Sequence, residues 1–470
     1  MNKQFFLYFI LALSMIIVSC GGRKTNKKIG VPDNSLRGAS CEVKLITLDP
    51  GHFHAALIQK SMYKQVDPIV HVYAPEGEEL KAHLQKINDY NSRSDQPTAW
   101  IENVYSGDDY IEKMIADKKG NLVVISGNNR LKTAYIKKSV EAGLNVLADK
   151  PMVITAENFP VLEEAFRIAE QKGVLLFDDM MERYEITTIL QRELSQVTEI
   201  FGTLRSGNIE HPAVEEISIH HFYKNVSGKP MIRPTWFFDV KQEGEGIVDV
   251  TTHLVDLVQW GCFPEQVIHK SDIEILRARH WRTEMKLGDF KEVTGKNRFP
   301  DFLSDVIKDG KLNVFSNGEI LYKIKGFVAK VSVEWRFKAP EGTADTHYSI
   351  MRGCNCNLEI RQGEIEKFVP TLYVNAIEGA DLTKLASNIK RAIQNSRYVG
   401  LGLDQIDDFC WKVIIPDKYK VGHEAHFSQV TEKYLEYLKQ GKLPDWEVPN
   451  MIAKYFTTTQ ALELAKKSTD

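Results

Sequence analysis

The chain has few cysteines, and their spacing fits neither a metal site nor a disulfide framework. Only six of its 470 residues are cysteines. Beyond position 20 they are scattered and odd in number, namely Cys41, Cys262, Cys354, Cys356 and Cys410. Cys354 and Cys356 are too close for an easy disulfide and have no second pair of ligands nearby. We therefore expect no metal site and interpret the five as packed thiols, with a disulfide as the less favoured alternative.

A long basic run is also missing beyond the first thirty residues, and the formal net charge is -3. This balance argues against nucleic acid as a partner.

Near the start, Lys3 precedes the apolar run FFLYFILALSMIIVS at residues 5–19. That run is too short to span a membrane comfortably but has the length of a signal-peptide core.

The apolar run ends in Ile17-Val18-Ser19-Cys20 and is followed by two glycines. This pattern resembles a bacterial lipobox, in which Cys20 is lipidated and becomes the first residue of the mature chain. An ordinary signal peptide with an incidental cysteine is the alternative. Residues 21–40 are typical of a flexible tether. Surface-exported lipoproteins of the Bacteroidetes carry acids after the cysteine, whereas this tether is basic, so we expect an exported, lipid-anchored protein that faces the periplasm.

The complete glycine-rich motif of dinucleotide-binding proteins is absent as well. From Val43 to about Met181 apolar strands alternate with helices, which predicts a parallel sheet covered on both faces. The loop at residues 49–54 follows the first strand, where G-x-G-x-x-G is expected, but only Gly51 remains. Gly51 alone would still let the backbone approach a pyrophosphate closely at one point. A helix predicted over residues 54–62 would offer the free N–H groups of its first turn to the phosphates.

Three motifs nevertheless resemble the Gfo/Idh/MocA oxidoreductases. The stretch ADKPMVIT at residues 148–155 resembles their E-K-P motif, with aspartate in place of glutamate. Ser126-Gly127-Asn128-Asn129 matches their T-P-N turn, although the histidine that follows there is Lys132 here. GEGIVDVTTHLVDLVQWG at residues 244–261 is similar to their G-G-G-x-x-x-D-x-G-x-H-x-x-D helix.

The resemblance covers roughly residues 43–470 and implies an α/β fold of two domains. Residues 41–182 would form a Rossmann-type NAD-binding domain. Residues 183–470 would form an α+β domain with a mostly antiparallel open sheet, for substrate binding and oligomerisation, so we expect a homo-oligomer. Strand-like segments from VEEISIHHFY to TLYVNAI agree with such a sheet, while the insertions at 285–315 and 381–405 yield no prediction.

The implied cofactor is NAD rather than NADP, because Glu76 and Glu78 beyond the second strand favour a free ribose 2′-hydroxyl. Asp149 would accept hydrogen bonds from the nicotinamide ribose. An exported enzyme meets little free NAD, so we expect the cofactor to be held tightly. The implied cofactor contacts are Gly51, His52, Phe53, Ser126, Asn128, Asn129, Asp149 and Lys150.

The implied catalytic residues are Lys150, Asp249 and His253. Partial burial would lower the pKa of Lys150 and suit it to proton transfer, and Pro151 could hold a cis bond. Asp249 and His253 are four residues apart and share one helix face, and Asp256 could orient the histidine ring. The alternatives to these catalytic roles are that Lys150 forms a salt bridge on the surface and that His253 is a structural histidine.

The loop at residues 220–238 precedes this helix and is rich in basic and aromatic residues. We interpret Arg233 and Trp236, with Tyr223, as substrate contacts, because a guanidinium binds polar groups and an indole packs on a sugar face. Packing at the domain interface is an equal alternative. A closing helix is predicted over residues 423–438, where His423 and His426 are expected to cap or pack rather than bind a ligand.

These residues favour an NAD-dependent oxidoreductase that acts on a sugar or glycoside hydroxyl. His253 would take the hydroxyl proton, Lys150 would stabilise the alkoxide, and Asp249 would position the substrate. Two alternatives stay open: a redox-neutral NAD-dependent glycosidase of the same fold, and a non-catalytic sugar-binding lipoprotein. In each case the partner is a small carbohydrate, and the membrane is reached only through the lipid anchor.

Overall fold

The computed structural model describes residues 42–226 and 229–468, which belong to one compact unit spanning residues 35–470. The predicted signal peptide, the tether, Cys20 and Cys41 lie outside the described residues. Among the described helices none has the length and apolar character needed to cross a membrane.

The N-terminal half is built on a six-stranded parallel sheet of strand order β3-β2-β1-β4-β5-β6. This is the Rossmann strand order, in which successive strands are added outward on one side of β1 up to β3 and then on its other side from β4. The interior strands β1, β4 and β5 are buried along their whole length, as expected for a sheet covered on both faces. The strands are β1 (Leu45–Leu48), β2 (Ile69–Ala74), β3 (Ile101–Ser106), β4 (Leu122–Ile125), β5 (Asn145–Ala148) and β6 (Leu176–Asp178).

Helices alternate with these strands as the sequence predicts. They are α1 (His54–Leu57), α2 (Glu78–Ser92), α3 (Tyr110–Asp117), α4 (Asn129–Glu141) and α5 (Phe159–Lys172). The first differs from the prediction, because only four residues are α-helical before a 3₁₀ turn at Ile58–Lys60. The helix after β1 is therefore much shorter than the nine residues of the predicted one.

The C-terminal half contains a ten-stranded sheet of order β10-β12-β13-β7-β14-β15-β16-β18-β17, with β11 paired to β12. Every pairing is antiparallel except the parallel pair β13 and β7, which confirms the predicted mostly antiparallel sheet. The strands of this half are β7 (Val214–Tyr223), the short pair β8 (Asn225–Val226) and β9 (Lys229–Pro230), β10 (Ile273–Lys286), β11 (Ile307–Lys308), β12 (Lys311–Ile324), β13 (Phe327–Lys338), β14 (Thr346–Arg352), β15 (Cys356–Arg361), β16 (Thr371–Ala376), β17 (Gly402–Gln405) and β18 (Cys410–Ile414).

The helices of this half are α6 (Ile186–Ser195), α7 (Thr198–Phe201), α8 (Thr251–Cys262), α9 (Leu287–Thr294), α10 (Leu382–Gln394), α11 (His423–Gln440) and α12 (Glu447–Lys467). The insertions without a prediction thus contain α9 with β11, and α10 with β17. The predicted closing helix is α11. It packs on the Rossmann core, where the Tyr434 hydroxyl lies 2.9 Å from the carbonyl oxygens of both Val146 and Leu175.

The predicted helix at residues 244–261 begins later than expected, at Thr251. Gly246 in the preceding turn lies against β12, and a Cβ built there would be 1.8 Å from the Ser316 carbonyl oxygen. The backbone of this turn therefore passes close to that of β12. The four described cysteines carry free thiols, and of these Cys354 is exposed rather than packed.

Candidate functional site

A cavity of about 1190 Å³ opens beyond the carboxyl ends of β1 and β5. The loop after β1 contributes His52, Phe53 and His54, and Lys150 follows β5. The opposite wall comes from the C-terminal half, chiefly from β7, α8, the loop at residues 339–345 and the start of α11. Ligands of open α/β sheets bind at this edge of the sheet, so this cavity is the candidate site.

Lys150 and Asp249 meet on the cavity wall as the resemblance implies. The Lys150 ammonium donates a hydrogen bond to the Asp249 carboxylate, and both side chains are largely buried. Burial would lower the pKa of Lys150, but the carboxylates of Asp249 and Asp149 outweigh it and raise that pKa. The expected lowered pKa is therefore wrong, and Lys150 is a fixed cation. The Lys150–Pro151 bond is cis.

His253 lies on α8, lines the same cavity and is 5 % exposed. Burial first, and then the positive charge of Lys150, lower its pKa well below the usual value. Its Nδ1 is buried and has no hydrogen-bond partner among the described residues. A neutral imidazole on the wall of a cavity is able to accept a proton from a bound molecule.

Asp256 does not orient the His253 ring, which corrects the expectation from their spacing. Its carboxylate is bound on one side by Arg183, at 2.6 and 2.7 Å, and on the other by the Lys454 ammonium at 2.9 Å. Arg183 and Lys454 outcompete a neutral imidazole because they carry full charges that must be paired when buried. Asp256 is therefore part of a structural ion-pair network below the site.

Asp149 is buried at the end of β5, and its carboxylate is shared by three side chains of the neighbouring loops. His52 Nδ1 lies 2.9 Å from Oδ2, His54 Nδ1 lies 3.1 Å from Oδ1, and Ser126 Oγ donates to Oδ2 at 2.8 Å. The Lys132 ammonium donates to the Asp149 carbonyl oxygen at 3.0 Å. These contacts already use both carboxylate oxygens, which the predicted ribose of a cofactor would also need.

The protonation states in this cluster follow from burial and hydrogen bonding. Burial lowers the pKa of His52, and it lowers that of His54 well below the usual value. Burial alone would raise the pKa of Asp149, but His54 and His52 outweigh it and lower that pKa. The cluster thus combines two neutral imidazoles with a carboxylate. Sequence reasoning missed His54 and Lys132 as its members, although the His-x-His spacing at 52–54 was a signal for the first.

The loop predicted to hold a pyrophosphate is packed against the chain itself. The N–H groups of Gly51 and His52 both donate to the Ser126 carbonyl oxygen, at 3.2 and 3.1 Å. A Cβ at Gly51 would lie 3.2 Å from Cζ2 of the Trp236 ring, and one at Gly127 would lie 2.1 Å from the Asp49 carbonyl oxygen. The glycines here therefore serve contacts between segments of this chain.

The two asparagines of the turn after β4 are also engaged. Asn128 Nδ2 donates to Gln242 Oε1 at 2.7 Å, and Asn129 Nδ2 donates to the Glu243 carbonyl oxygen at 2.7 Å. Asn129 is buried. These contacts tie the Rossmann half to the segment that precedes α8.

The three predicted substrate residues occupy different places. Tyr223 and Arg233 line the cavity, whereas Trp236 packs against Gly51 in a buried aromatic cluster. Arg233 is itself 4 % exposed, and its Nε and Nη2 donate to the carbonyl oxygens of Phe222 and His221. Trp236 therefore shows the packing alternative, whereas Arg233 reaches the cavity wall with two of its guanidinium nitrogens already bound to the chain.

A second polar cluster on the cavity wall was not predicted. Asp345 lies 3.1 Å from His220 Nδ1 and 3.2 Å from His221 Nδ1, and it pairs with Lys224. Burial would raise the pKa of Asp345, but Lys224 and His220 outweigh it and lower that pKa. No local sequence signal points to Asp345, because its partners lie on another strand.

Comparison with known families gives two matches along the chain. Residues 49–179 match the family described as "Oxidoreductase family, NAD-binding Rossmann fold", which is the Gfo/Idh/MocA domain. Residues 190–466 match the family described as "Putative oxidoreductase C terminal domain". No curated protein matches the sequence.

Among solved structures, a "putative oxidoreductase from Parabacteroides merdae ATCC 43184" is 54% identical, with a TM-score of 0.90. The match covers 92% of this chain and 99% of that one. Levoglucosan dehydrogenase in its apo form is 12% identical with a TM-score of 0.57, and 90% of this chain and 97% of that one are covered. GenD2 from gentamicin A biosynthesis, in complex with NAD, is 14% identical with a TM-score of 0.56. That match covers 92% of this chain and 97% of the other.

The two distant structures show the fold alone, whereas the family matches and the Parabacteroides structure extend over most of the chain. The parallel sheet of the first half and the open sheet of the second half agree with them. The chain therefore belongs to the oxidoreductase family that joins a Gfo/Idh/MocA-type NAD-binding Rossmann domain to the oxidoreductase C-terminal domain.

Proposed function

We propose that this chain is an NAD-dependent oxidoreductase that acts on a hydroxyl group of a sugar or glycoside. The observation that carries the proposal is the neutral His253, which lines the same cavity as the Lys150–Asp249 pair. Structures of the same fold include a levoglucosan dehydrogenase and a 3-ketoreductase, which supports a carbohydrate as the substrate class.

Oxidation of a hydroxyl-bearing carbon to a carbonyl removes a proton from oxygen and a hydride from carbon. His253 accepts the proton, because it is neutral and lines the cavity. Lys150 stabilises the negative charge that develops on the oxygen, since its ammonium is fixed in a largely buried place. Asp249 holds that ammonium in position. Bound NAD supplies the hydride acceptor.

The residues at one end of the cavity fit a nicotinamide. His52, Phe53 and Lys150 face the cavity, and the first two present aromatic rings whose centroids are 4.6 Å apart. The other five predicted cofactor residues do not line this cavity. Since the N–H groups of Gly51 and His52 are used by Ser126, the pyrophosphate contact does not come from these amides.

The proposal has two further parts: the cellular location inferred from the N-terminal sequence, and the retention of the bound cofactor between turnovers. Lipidation at Cys20 would place the enzyme on the periplasmic side of a membrane, as a homo-oligomer, where little free NAD is available. A retained NAD, reduced by one substrate and reoxidised by a second, would support turnover there.

The test is a cofactor-linked assay on the purified chain. NAD or NADP is incubated with free sugars and aryl glycosides, while reduced cofactor is followed by absorbance and products by mass spectrometry. We expect substrate-dependent reduction of NAD, and a loss of roughly 10²–10⁴ in turnover for His253→Asn. The supernatant of denatured protein, purified without added nucleotide, should contain about one nucleotide per chain if retention holds.

The matched control is His83→Leu, which removes another buried histidine, on α2 of the Rossmann half. It should keep wild-type turnover. Absence of cofactor binding by the wild type would contradict the proposal and favour a non-catalytic binding protein. Cleavage of a glycoside with no net change in cofactor would instead favour the redox-neutral glycosidase.

A further inference from the structure

Two histidines and an aspartate of the cavity floor converge on one point. His52 and His54 come from the loop after β1, and Asp149 comes from the end of β5. One potential ligand atom of each lies within 4.8 Å of those of the others. The sequence analysis predicted no metal site because the spacing of the cysteines did not fit one. The present cluster contains no cysteine, so that argument does not apply to it.

The spacing of these atoms matches that of ligands around one metal ion. His52 Nδ1 lies 2.9 Å from Asp149 Oδ2, and His54 Nδ1 lies 3.1 and 3.2 Å from Oδ1 and Oδ2. Ligands with metal bonds of about 2.1 Å that meet at a right angle are about 3.0 Å apart. An ion placed between the three groups would therefore need little movement of the side chains.

The charges around the cluster are compatible with a divalent cation. Imidazole binds metals in its neutral form. Metal binding through Nδ1 requires only that each ring proton moves to Nε2. Of the two nearby ammonium groups, Lys150 is paired with the Asp249 carboxylate, and Lys132 donates to the Asp149 carbonyl oxygen.

The surroundings also resemble those of an open, reactive site rather than a closed structural one. Ser126 Oγ holds the Asp149 carboxylate from behind, as a second layer of hydrogen bonds does around bound metals. His52 and His54 both line the cavity, so the remaining positions around an ion would face a bound substrate. His423 lies beside them, with its ring centroid 5.3 Å from that of His54.

The geometry points to a binding site for a divalent transition-metal ion formed by His52, His54 and Asp149. Two imidazoles with one carboxylate suit Fe²⁺, Mn²⁺, Co²⁺ or Zn²⁺. The ion would bind an oxygen of the substrate next to Lys150. Metal binding does not depend on the proposed oxidoreductase function, so either proposal can fail while the other holds.

The alternative is that the three groups only hydrogen-bond to one another. The test uses the purified, tag-free chain, stripped with a chelator and then titrated with Co²⁺ or Zn²⁺. We expect about one ion per chain by elemental analysis, d–d absorption bands for Co²⁺, and a metal-dependent rise in the melting temperature. His54→Ala and Asp149→Asn should lose all three signals, and Ser126→Ala should bind roughly 10-fold or more weakly.

His83→Leu is the control, since it removes a buried histidine elsewhere in the same half and should bind metal as the wild type does. Circular dichroism without metal checks that each variant folds. If His54→Ala does not fold, the competition of Co²⁺ with a chelator in the wild type, read from the absorption bands, decides the question. A stripped wild type that takes up less than about a tenth of an ion per chain would overturn the site. Equal metal binding by the folded variants would overturn it too.

Discussion

Arg183 and Asp256 form a buried, two-point ion pair beneath the helix that carries His253, with Nε–Oδ2 and Nη2–Oδ1 distances of 2.6 and 2.7 Å. The Lys454 ammonium extends the pair to Asp178 at the end of β6, at 2.8 Å. The network thus joins the Rossmann sheet, α8 and α12. It therefore holds α8, which carries His253, in place.

Asp256→Asn should lower the free energy of unfolding by up to about 3–5 kcal/mol, because Arg183 and Lys454 lose the carboxylate that they share and keep, among the described residues, only Glu447 and Asp178 as acidic partners. Denaturant unfolding followed by circular dichroism measures this loss. Glu436→Gln, in the exposed pair with Lys433, is the control and should change stability by less than about 0.5 kcal/mol. Similar small effects of both substitutions would show that the network contributes little.

The buried His83 should make the fold less stable in mild acid. Burial, followed by the charge of Lys86, lowers its pKa from the usual 6.5 to about 4. As the pH falls from 6.5 towards 4 the unfolded chain takes up a proton that the folded chain refuses, so stability falls, by up to about 3 kcal/mol. Stability curves of wild type and His83→Leu should therefore diverge over this range and run parallel above pH 7. His211→Gln, at an exposed position, should follow the wild type throughout.

Gly246→Ala should destabilise the protein by about 2 kcal/mol or more, because the new methyl group would overlap the Ser316 carbonyl of β12. Gly288→Ala is a matched substitution, in α9, with open space around the added Cβ. It should stabilise the protein by about 0.5–1 kcal/mol, since alanine favours a helix. Thermal unfolding of the two variants measures both effects, and a loss at both positions would mean that the contact with Ser316 is not the cause.

Lys150→Met should keep the fold but reduce turnover by roughly 10²–10⁴, since the developing alkoxide loses its fixed cation. Because this substitution also leaves Asp249 unpaired, Lys150→Arg is the informative companion. It retains the charge and should recover part of the activity, with kcat affected more than KM. Turnover by Lys150→Met within a few-fold of wild type would remove this lysine from the mechanism.

Cys20→Ala should release the protein from the membrane fraction or leave it unprocessed, because acyl chains on the cysteine would provide the attachment. Fractionation of expressing cells and the mass of the mature N-terminus measure both outcomes. Ser19→Ala keeps a small residue before the cysteine and should still be anchored. A wild-type chain found free in the cytoplasm would disprove the lipid anchor.

Part of the site followed from local sequence. The family resemblance at residues 148–155 predicted that Lys150 follows a strand at the site. The spacing of Asp249 and His253 predicted that they share one helix face, whereas Asp249 lies in the turn before α8. Both residues line the cavity beside Lys150. The roles of Asp149 and Asp256 did not follow, because a carboxylate binds whichever cations and donors the fold brings nearest. His52 is 97 positions from Asp149, and Arg183 is 73 positions from Asp256.

The sequence by itself determined the alternation of strands and helices, the mostly antiparallel second sheet and the loops at which functional residues lie, since these depend on periodicity and on neighbours along the chain. Only the tertiary structure decided how buried charges are paired and which of the groups predicted to bind a ligand are instead bound to the protein itself. The amides of Gly51 and His52 bind Ser126, Arg233 packs on the protein, and two histidines share Asp149. Each of these outcomes depends on satisfying buried polar groups across segments that are distant in sequence, and no local pattern encodes that competition.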